Sequence, residues 1–520
     1  MPAKRHGGAH RHGRDRRAAV IHAPAGRPRF TGDAPSAAVV GGGLAGIAAA
    51  TGLAERGVRV TLYEGERNLG GRLAGWPTRL ADGTTVTMSR GFHAFFRQYY
   101  NLRGLLRRID PGLETLTALP DYPLRHGSGL HDSFARVPRT PPLSALGFVA
   151  LSPTFGVRDL ARMDPRAALP LLDVRVPEVH ERLDGVSAHD FLARIRFPEA
   201  AHHLAFEVFS RSFFADPREL SAAELVLMFH IYFLGSSEGL LFDVPSEPFP
   251  TALWDPLAGY LAGLGVDVRT GTPVRHVRPL PDGRLDVEAG GAGERASRHD
   301  ALVLALDGAG LRRLVDASPG LGDAPWRASI DRLRSAPPFL VSRLWLDRPV
   351  ARDRPGFLGT SGYGPLDNVS VLERWEGEAA RWARRTGGSV LELHAYAVSP
   401  DADRAAVQAE ALRQAHRVYP ETRDARIVDE RHEWRADCPM FPVGGYRDRP
   451  GVRGPDPAVT VAGDMVRTGL PVALMERAVT SGFLAANAHL ERWGVRGQTL
   501  WTVPRTGRSP VLRRLAALGG

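Results

Sequence analysis

The chain has 520 residues, of which 43% are apolar and 24% charged, which is the composition of a globular protein large enough to bury an extensive core. The formal net charge of +10 does not indicate nucleic-acid binding, because most of it lies in residues 1–33, which we predict to be a disordered basic tail. The single cysteine, Cys438, excludes an internal disulfide and a cysteine metal site, so no metal is expected.

Residues 36–40 form a short apolar run that predicts a strand, and the three glycines at 41–43 follow it directly. An alanine-rich helix is expected over 46–56 and a second strand over 58–63. This order of strand, glycine turn, helix and strand is that of a unit that binds dinucleotides.

Three glycines of this unit fit the dinucleotide fingerprint. Gly41 permits a tight turn, Gly43 lets the backbone approach a pyrophosphate, and Gly46 lets the helix pack closely on the strand. The free N–H groups of the helix start, at Leu44-Ala45, suit the phosphates. Glu64 ends the second strand, where its carboxylate can accept the ribose hydroxyls and would repel the 2′-phosphate of NADP.

A second glycine pair follows Glu64. Gly70 and Gly71 let the chain pass close to the pyrophosphate, and Arg72 can neutralise it. A Gly-Gly-Arg at this place is typical of a large group of flavoproteins and resembles the amine oxidase superfamily. The sequence therefore predicts FAD rather than NAD as the cofactor.

Residues 111–249 have a different character, with amphipathic helical stretches around 187–197, 200–214 and 222–234. Residues 253–320 return to alternating strands and helices, and Val274 on one of those strands is a further candidate for contact with the cofactor.

The longest uncharged stretch, 140–157, is broken by prolines and is too irregular to span a bilayer. Two interpretations of it stay open. It forms a loop with a short core helix, or it forms an apolar surface that dips into a membrane. That surface would consist of Leu143, Leu146, Phe148, Val149 and Leu151.

The distal half of the cofactor site is predicted from a strand over 458–462 that runs into Gly463-Asp464. Asp464 can bind a ribityl hydroxyl. A helix from about Met475 through Ala478 directs its N-terminus at the flavin edge where negative charge builds on reduction. We expect Glu476-Arg477 to be an exposed first turn without chemistry.

These elements predict an α/β fold with a discontinuous Rossmann-like FAD-binding domain of the GR2 flavoprotein type. We assign residues 34–110, 250–325 and 440–495 to that domain. Residues 111–249 and 326–439 would form a helix-rich α+β substrate domain that faces a membrane, and 496–520 a C-terminal tail.

Residues 88–102 narrow the prediction, because Met-Ser-Arg-Gly-Phe-His-Ala-Phe-Phe-Arg-Gln-Tyr-Tyr-Asn-Leu resembles a loop of the plant-type carotene desaturases. The stretches 75–79, 206–214 and 229–239 resemble the isorenieratene synthase group, the β-carotene desaturase/methyltransferases. The likeness runs from about residue 36 to residue 490. One departure is Arg477, which stands where the plant-type family has glycine.

This resemblance implies an FAD-dependent enzyme that makes the end ring of β- or γ-carotene aromatic, with a 1→2 methyl shift. In that family the loop lies against the isoalloxazine, which implies flavin contacts for Gly91 and Phe92. Arg90 and His93 in the same loop are candidate catalytic residues, and Glu238 and Asp243 are candidate bases.

Residues 204–242 are crowded with aromatic side chains, which as a set suit a long apolar substrate channel, although for any one of them a helix core is the more ordinary place. The predicted substrate contacts are Phe206, Phe209, Phe213, Phe229, Tyr232 and Phe233.

Alternatives stay open at this point. A plain carotene desaturase or isomerase would have the same fold and cofactor. An amine oxidase is disfavoured because Lys4 is the only lysine, and a non-catalytic FAD- or lipid-binding protein is the remote case. The expected setting is the cytoplasm, peripheral on the inner face of the membrane, with a carotenoid substrate, a quinone as a possible electron acceptor, and no nucleic acid.

Overall fold

The computed structural model of the chain describes residues 13–164, 166–198, 201, 213–290, 296–511 and 513–514. The described α-helices are Leu44–Ala54, Tyr100–Leu106, Leu143–Leu151, Val157–Arg162, Leu169–Leu172, Glu178–Leu183, Ala188–Ile195, Ala222–Phe229, Asp255–Gly263, Gly308–Ala317, Ala324–Asp331, Gly377–Thr386, Arg404–Val418 and Leu474–Arg492. Single turns of 3₁₀ helix cover Gly71–Leu73, Leu372–Arg374 and Pro420–Thr422, and π-helical turns cover His230–Leu234 and Pro250–Trp254.

The first of two principal sheets, the central sheet, has five parallel strands. Their spatial order is Asp267–Arg269, Arg59–Tyr63, Ser36–Val40, Ala301–Leu304 and Val459–Val461. Parallel sheets are covered on both faces, which explains why the strands Ser36–Val40 and Ala301–Leu304 are nearly continuous apolar runs. The helix Leu44–Ala54 is buried along its whole length. Three distant parts of the chain thus supply one sheet.

The second, the large sheet, has seven strands that are antiparallel apart from one parallel pair. Their order is Ile427–Arg435, Phe339–Leu346, Ser389–Ala395, Asn368–Val371, Phe357–Ser361, Pro123–His126 and His131–Ser133. Two smaller sheets have two strands each: Gly75–Arg79 pairs with Thr85–Ser89, and Ala19–Ile21 pairs with Leu500–Thr502. Two others have three strands each. In one, Leu285–Ala289 lies between Val274–Pro279 and Ser297–His299, and in the other, Phe242–Pro245 lies between Phe95–Phe96 and Leu116–Ala118.

The prediction of a disordered tail over 1–33 is wrong for its described part, 13–33. Residues Ala19–Ile21 form a strand antiparallel to Leu500–Thr502, so each segment satisfies the other's backbone groups. Phe30 is buried, with its ring 6.1 Å from that of Trp493. Residues 496–520 are likewise not a loose tail where they are described, since their first part completes this small sheet.

The stretch 140–157 forms a loop and the helix Leu143–Leu151. Phe148 is buried, whereas Leu143, Leu146 and Leu151 are exposed by 58%, 63% and 52% of their surface. The helix therefore combines one core residue with a row of exposed leucines. Within the described ranges, no helix is both long enough and apolar enough to cross a membrane.

Candidate active site

A cavity of about 780 Å³ extends from the glycine turns of the central sheet to the inner face of the large sheet, which is a size typical of ligand sites. The predicted cofactor residues that line it are Gly41, Gly43, Leu44, Ala45, Glu64, Gly70, Gly71, Arg72, Phe92, Val274, Gly463, Asp464, Met475 and Ala478. Gly46 and Gly91 are not part of this lining.

The first glycine turn closes one end of the cavity. Gly41 has φ +111°, a conformation that glycine adopts without strain. A Cβ on Gly46 would lie 1.8 Å from the Gly41 carbonyl oxygen, so Gly46 acts through helix packing rather than by touching a ligand. The Gly42 N–H donates to Oε2 of Glu64 over 2.7 Å, and burial raises the pKa of this carboxyl.

The second glycine pair lies directly opposite the first. A Cβ on Gly71 would stand 3.3 Å from the Cα of Gly43, so the backbones of the two turns lie close together at this end of the cavity. Gly70, with φ +112°, has no room for a side chain because Trp254 lies against it. The Trp254 indole N–H donates to the Leu73 carbonyl over 2.8 Å and thereby fixes this turn.

Arg72 and Asp464 join the two halves of the site, 392 positions apart in the chain, through an ion pair of 2.6 Å. Burial alone would lower the pKa of Arg72, but the Asp464 carboxylate raises it, so the guanidinium stays charged beside the cavity. A cradle of glycines at one end, a carboxylate at the rim and a fixed cation in the middle fits the phosphates and ribose of FAD.

The distal helix Leu474–Arg492 corrects one expectation, since Glu476-Arg477 is not an exposed turn. Glu476 is buried, and its carboxylate accepts the backbone N–H groups of Asn101 and Leu102 at 2.8 and 2.9 Å. It therefore caps the start of the helix Tyr100–Leu106, which begins within the last residues of the 88–102 segment. No local pattern in the sequence indicates this role, because Glu476 and Asn101 are 375 positions apart.

Arg477 is also buried, and its side chain is engaged away from the cavity lining. It donates to Glu224 over 2.7 Å, and Arg449 donates to the other oxygen of the same carboxylate over 2.6 Å. Burial alone would raise the pKa of Glu224, but the two guanidinium groups hold it well below its usual value. A further bond from Arg477 to the Asp464 carbonyl, 3.2 Å long, ties this buried trio to the cofactor side.

Of the candidate catalytic residues, His93 and Arg90 line the cavity. Nδ1 of His93 donates to the Gly91 carbonyl over 2.9 Å, which leaves Nε2 as the acceptor nitrogen. Burial lowers the pKa of His93 to about 4, so the ring is neutral near pH 7. Arg90 forms an ion pair with Asp437.

Glu238 and Asp243 do not reach the cavity lining, which corrects their prediction as bases in it. Asp243 is held by ion pairs to Arg103 at 2.7 Å and Arg97 at 3.5 Å. Glu238 accepts the Asp15 N–H over 2.9 Å and thus anchors the N-terminal segment. Both carboxylates are occupied by structural partners that lie far away in sequence.

The predicted aromatic contacts are only partly described. Phe206 and Phe209 lie outside the described residues. Phe213, Phe229, Tyr232 and Phe233 are not in the lining, because they pack against other side chains of the surrounding core. From the same aromatic segment, Phe214 and Phe242 do reach the cavity.

Most aromatic residues of the cavity come from elsewhere, chiefly the large sheet and the 88–102 loop. Phe92 stacks on Phe357 with ring centroids 4.4 Å apart. The others in the lining are Tyr63, Phe96, Tyr99, Tyr122, Phe339 and Tyr396, with His394 among the polar residues. The sequence did contain a signal for the strand Ser389–Ala395. Glu392, His394 and Tyr396 alternate with the apolar residues Leu393 and Ala395, a pattern that predicts a strand with one polar face.

Comparison with known proteins gives one consistent result. Residues 44–490 match the family described as flavin containing amine oxidoreductase. The chain is 82% identical to a carotenoid phi-ring synthase of Streptomyces griseus, over 100% of both chains. It is 29% identical to one of Chlorobaculum tepidum, over 91% of each. A solved structure of putrescine oxidase bound to putrescine has the same fold, with a TM-score of 0.65, 18% identity, and coverage of 88% of this chain and 99% of that one.

Proposed function

This chain belongs to the flavin containing amine oxidoreductase family and, within it, is an FAD-dependent oxidoreductase of the carotenoid phi-ring synthase group; on this premise we propose that it converts the cyclohexenyl end ring of β- or γ-carotene into an aromatic ring with a 1→2 methyl shift. The observation that carries the proposal is the cavity itself, whose cofactor end is polar and whose other end is walled by aromatic rings.

The chemistry of such a conversion sets what the cavity must do. A ring with one double bond needs two successive two-electron oxidations to become aromatic, and each removes a hydride and a proton. FAD, when bound, supplies the hydride acceptor. The surrounding rings, such as Phe92, Phe357 and Phe242, would exclude water and place their electron-rich faces near a ring cation while the methyl group migrates.

We predict that the purified enzyme, supplied with FAD and β-carotene in lipid, forms a carotenoid with an aromatic end ring. Mass spectrometry should show the loss of four hydrogens for each ring converted, and nuclear magnetic resonance should show a methyl group moved to the neighbouring ring carbon.

Each alternative gives a different product. A plain desaturase would yield a product that keeps its geminal methyl groups, and an isomerase one of unchanged mass. Either product would refute the proposed function. Turnover of a primary amine with no change in carotene would point instead to an amine oxidase.

We also propose that the enzyme works at a membrane surface, where a carotene is dissolved and a quinone could reoxidise the flavin. The exposed leucines of the helix Leu143–Leu151 support this. From that helix, rings in contact lead inward: Phe148 to Phe134 at 5.2 Å, and Phe134 to Tyr122 at 5.4 Å. Since Tyr122 lines the cavity, an apolar path joins the exposed leucines to the reaction site.

The variant Leu146→Asp/Leu151→Asp should bind lipid vesicles at least about tenfold more weakly, because burial of one leucine side chain contributes about 1.5–3 kcal/mol. Co-flotation with phosphatidylcholine vesicles measures this, and the FAD content should not change. Val443→Asp, at a valine exposed by 38% outside this helix, is the matched control and should bind as the wild type does. Equal vesicle binding by the wild type, the double variant and Val443→Asp would exclude the helix Leu143–Leu151 as the membrane contact.

A further inference from the structure

The strand Ser389–Ala395 and the residue after it carry a row of polar groups, of which His394 and Tyr396 line the large cavity. Glu392 and His394 lie two residues apart on one face of this strand, and Tyr396 continues the spacing just beyond its end. Nε2 of His394 lies 2.9 Å from Oε1 of Glu392, and its Nδ1 lies 2.8 Å from the Tyr396 hydroxyl. The three side chains therefore form one chain of hydrogen bonds.

The direction of each bond follows from the charge on Glu392. Burial alone would raise its pKa, but the Arg343 guanidinium, 2.6 Å from Oε2, holds the pKa at about 2. An ionised carboxylate can only accept, so Nε2 of His394 donates to it. Nδ1 of His394 is then the acceptor, and the Tyr396 O–H donates to it.

Tyr396 and His394 both belong to the lining of the large cavity, so the hydrogen-bonded pair that they form is part of its wall. The hydroxyl oxygen of Tyr396 accepts a bond from the Asn368 amide over 2.9 Å. A phenol oxygen has two lone pairs, so one remains that can face a substrate. The Tyr396 phenol thus belongs to the cavity wall, and its proton is already hydrogen-bonded to a base.

Glu392, at the other end of this row, is not in the lining of the large cavity. It borders a second, small cavity of about 30 Å³, together with His93 and Glu376. That volume has room for a water molecule. The chain of hydrogen bonds therefore runs from the large cavity at Tyr396 to a separate polar space behind Glu392.

On the premise of the proposed function, we propose that Tyr396 is a catalytic residue, which takes the proton that the ring cation loses while its own proton passes to His394. The C–H bond of the ring breaks, its electron pair becomes a ring double bond, and the proton forms a new O–H bond on Tyr396. The former Tyr396 proton ends on Nδ1 of His394. The positive charge moves from the ring to an imidazolium beside the Glu392 carboxylate, which stabilises it.

His93 is a weaker candidate for this step, although it lines the same cavity. Burial opposes its positive charge and lowers its pKa to about 4. Its Nδ1 already donates to a backbone carbonyl, so protonation at Nε2 would place the charge beside a neutral partner. His394 instead has an ionised carboxylate 2.9 Å from its ring.

The test uses Tyr396→Phe, His394→Gln and the double variant in the full-length holoenzyme with β-carotene in lipid vesicles. Each single variant should form product about 10²–10⁴-fold more slowly, the range that general acid–base groups contribute. The double variant should be no slower than either single variant, because both residues serve one relay. FAD content and the thermal midpoint should stay those of the wild type.

A solvent isotope effect separates catalysis from a structural role. The wild type should react more slowly in D₂O than in H₂O, because the Tyr396 O–H proton moves in the step, and Tyr396→Phe should lose this difference. Tyr419→Phe, at another buried tyrosine outside the cavity lining, is the matched control and should behave as the wild type does.

A Tyr396→Phe variant with wild-type rate and isotope effect would overturn the relay. If the proposed function were wrong, the result would be a different one: the wild type would desaturate carotene without forming an aromatic ring. Any such desaturation still removes a proton, so the same rates and isotope effects would judge the relay in that case as well.

Discussion

Gly46→Ala is expected to give protein that retains less FAD and is therefore less yellow than the wild type. The added methyl carbon would stand 1.8 Å from the Gly41 carbonyl oxygen and 3.4 Å from the Ala305 Cβ. The oxygen belongs to the backbone of the glycine turn, so relief of the clash must shift the turn or the helix that follows it and disturb the approach of the turn to Gly71. We expect affinity for FAD to fall at least about tenfold, or roughly 1.4 kcal/mol. Absorbance at 450 nm and titration with FAD measure the loss.

Gly259→Ala is the matched control. It makes the same substitution inside the helix Asp255–Gly263, where an added Cβ meets no atom within 4 Å. This variant should keep its FAD and be slightly more stable, because alanine is the better helix former by about 1 kcal/mol. Full occupancy by FAD in Gly46→Ala would show that the turn can relax, and would contradict the packing role given to Gly46.

Glu224→Gln is expected to destabilise the fold strongly, although it changes the side chain by little more than its charge. Glu224 is completely buried and its carboxylate compensates both Arg477 and Arg449. A neutral amide would leave two buried guanidinium groups without an opposite charge. Removing one partner of a buried ion pair typically costs about 3–5 kcal/mol of unfolding free energy. Urea unfolding followed by circular dichroism measures it.

Two further variants test whether buried charge is the cause of this loss of stability. Glu410→Gln removes a carboxylate from a solvent-accessible pair with Arg413 and should leave the unfolding midpoint unchanged. Replacing the whole trio at once, with Glu224→Leu, Arg449→Met and Arg477→Met, should recover much of the stability, because no charge is then left buried. An unchanged midpoint for Glu224→Gln would mean that the trio is not held together by charge.

The sequence contained enough to predict an FAD-binding α/β fold, and that prediction is confirmed. The reason is that the cofactor signals are local. Gly41, Gly43 and Gly46 lie within six positions, and their neighbours show directly that they follow a strand and open a helix. Asp464 is equally readable, because a buried strand ends at Val461, two residues before Gly463.

The parts that escaped prediction depend on partners far apart in the sequence. Tyr396 enters the cavity because the large sheet places its strand beside others that begin at residues 339 and 368, and no local pattern gives that order. Arg477 was expected on the surface because its partner, Glu224, lies 253 positions away. Asp15 was assigned to a disordered tail since composition alone cannot reveal that Glu238 and Arg508 hold it.

The threefold return of the chain to the central sheet has a consequence for biosynthesis. The strand Val459–Val461 and Asp464 leave the ribosome only after both glycine turns and every other strand of that sheet have been made. Until then the nascent chain carries the glycine turns without the edge strand or the partner of Arg72. Stable binding of the flavin is therefore expected only late in synthesis, once Asp464 can pair with Arg72 and the last strand has joined the sheet.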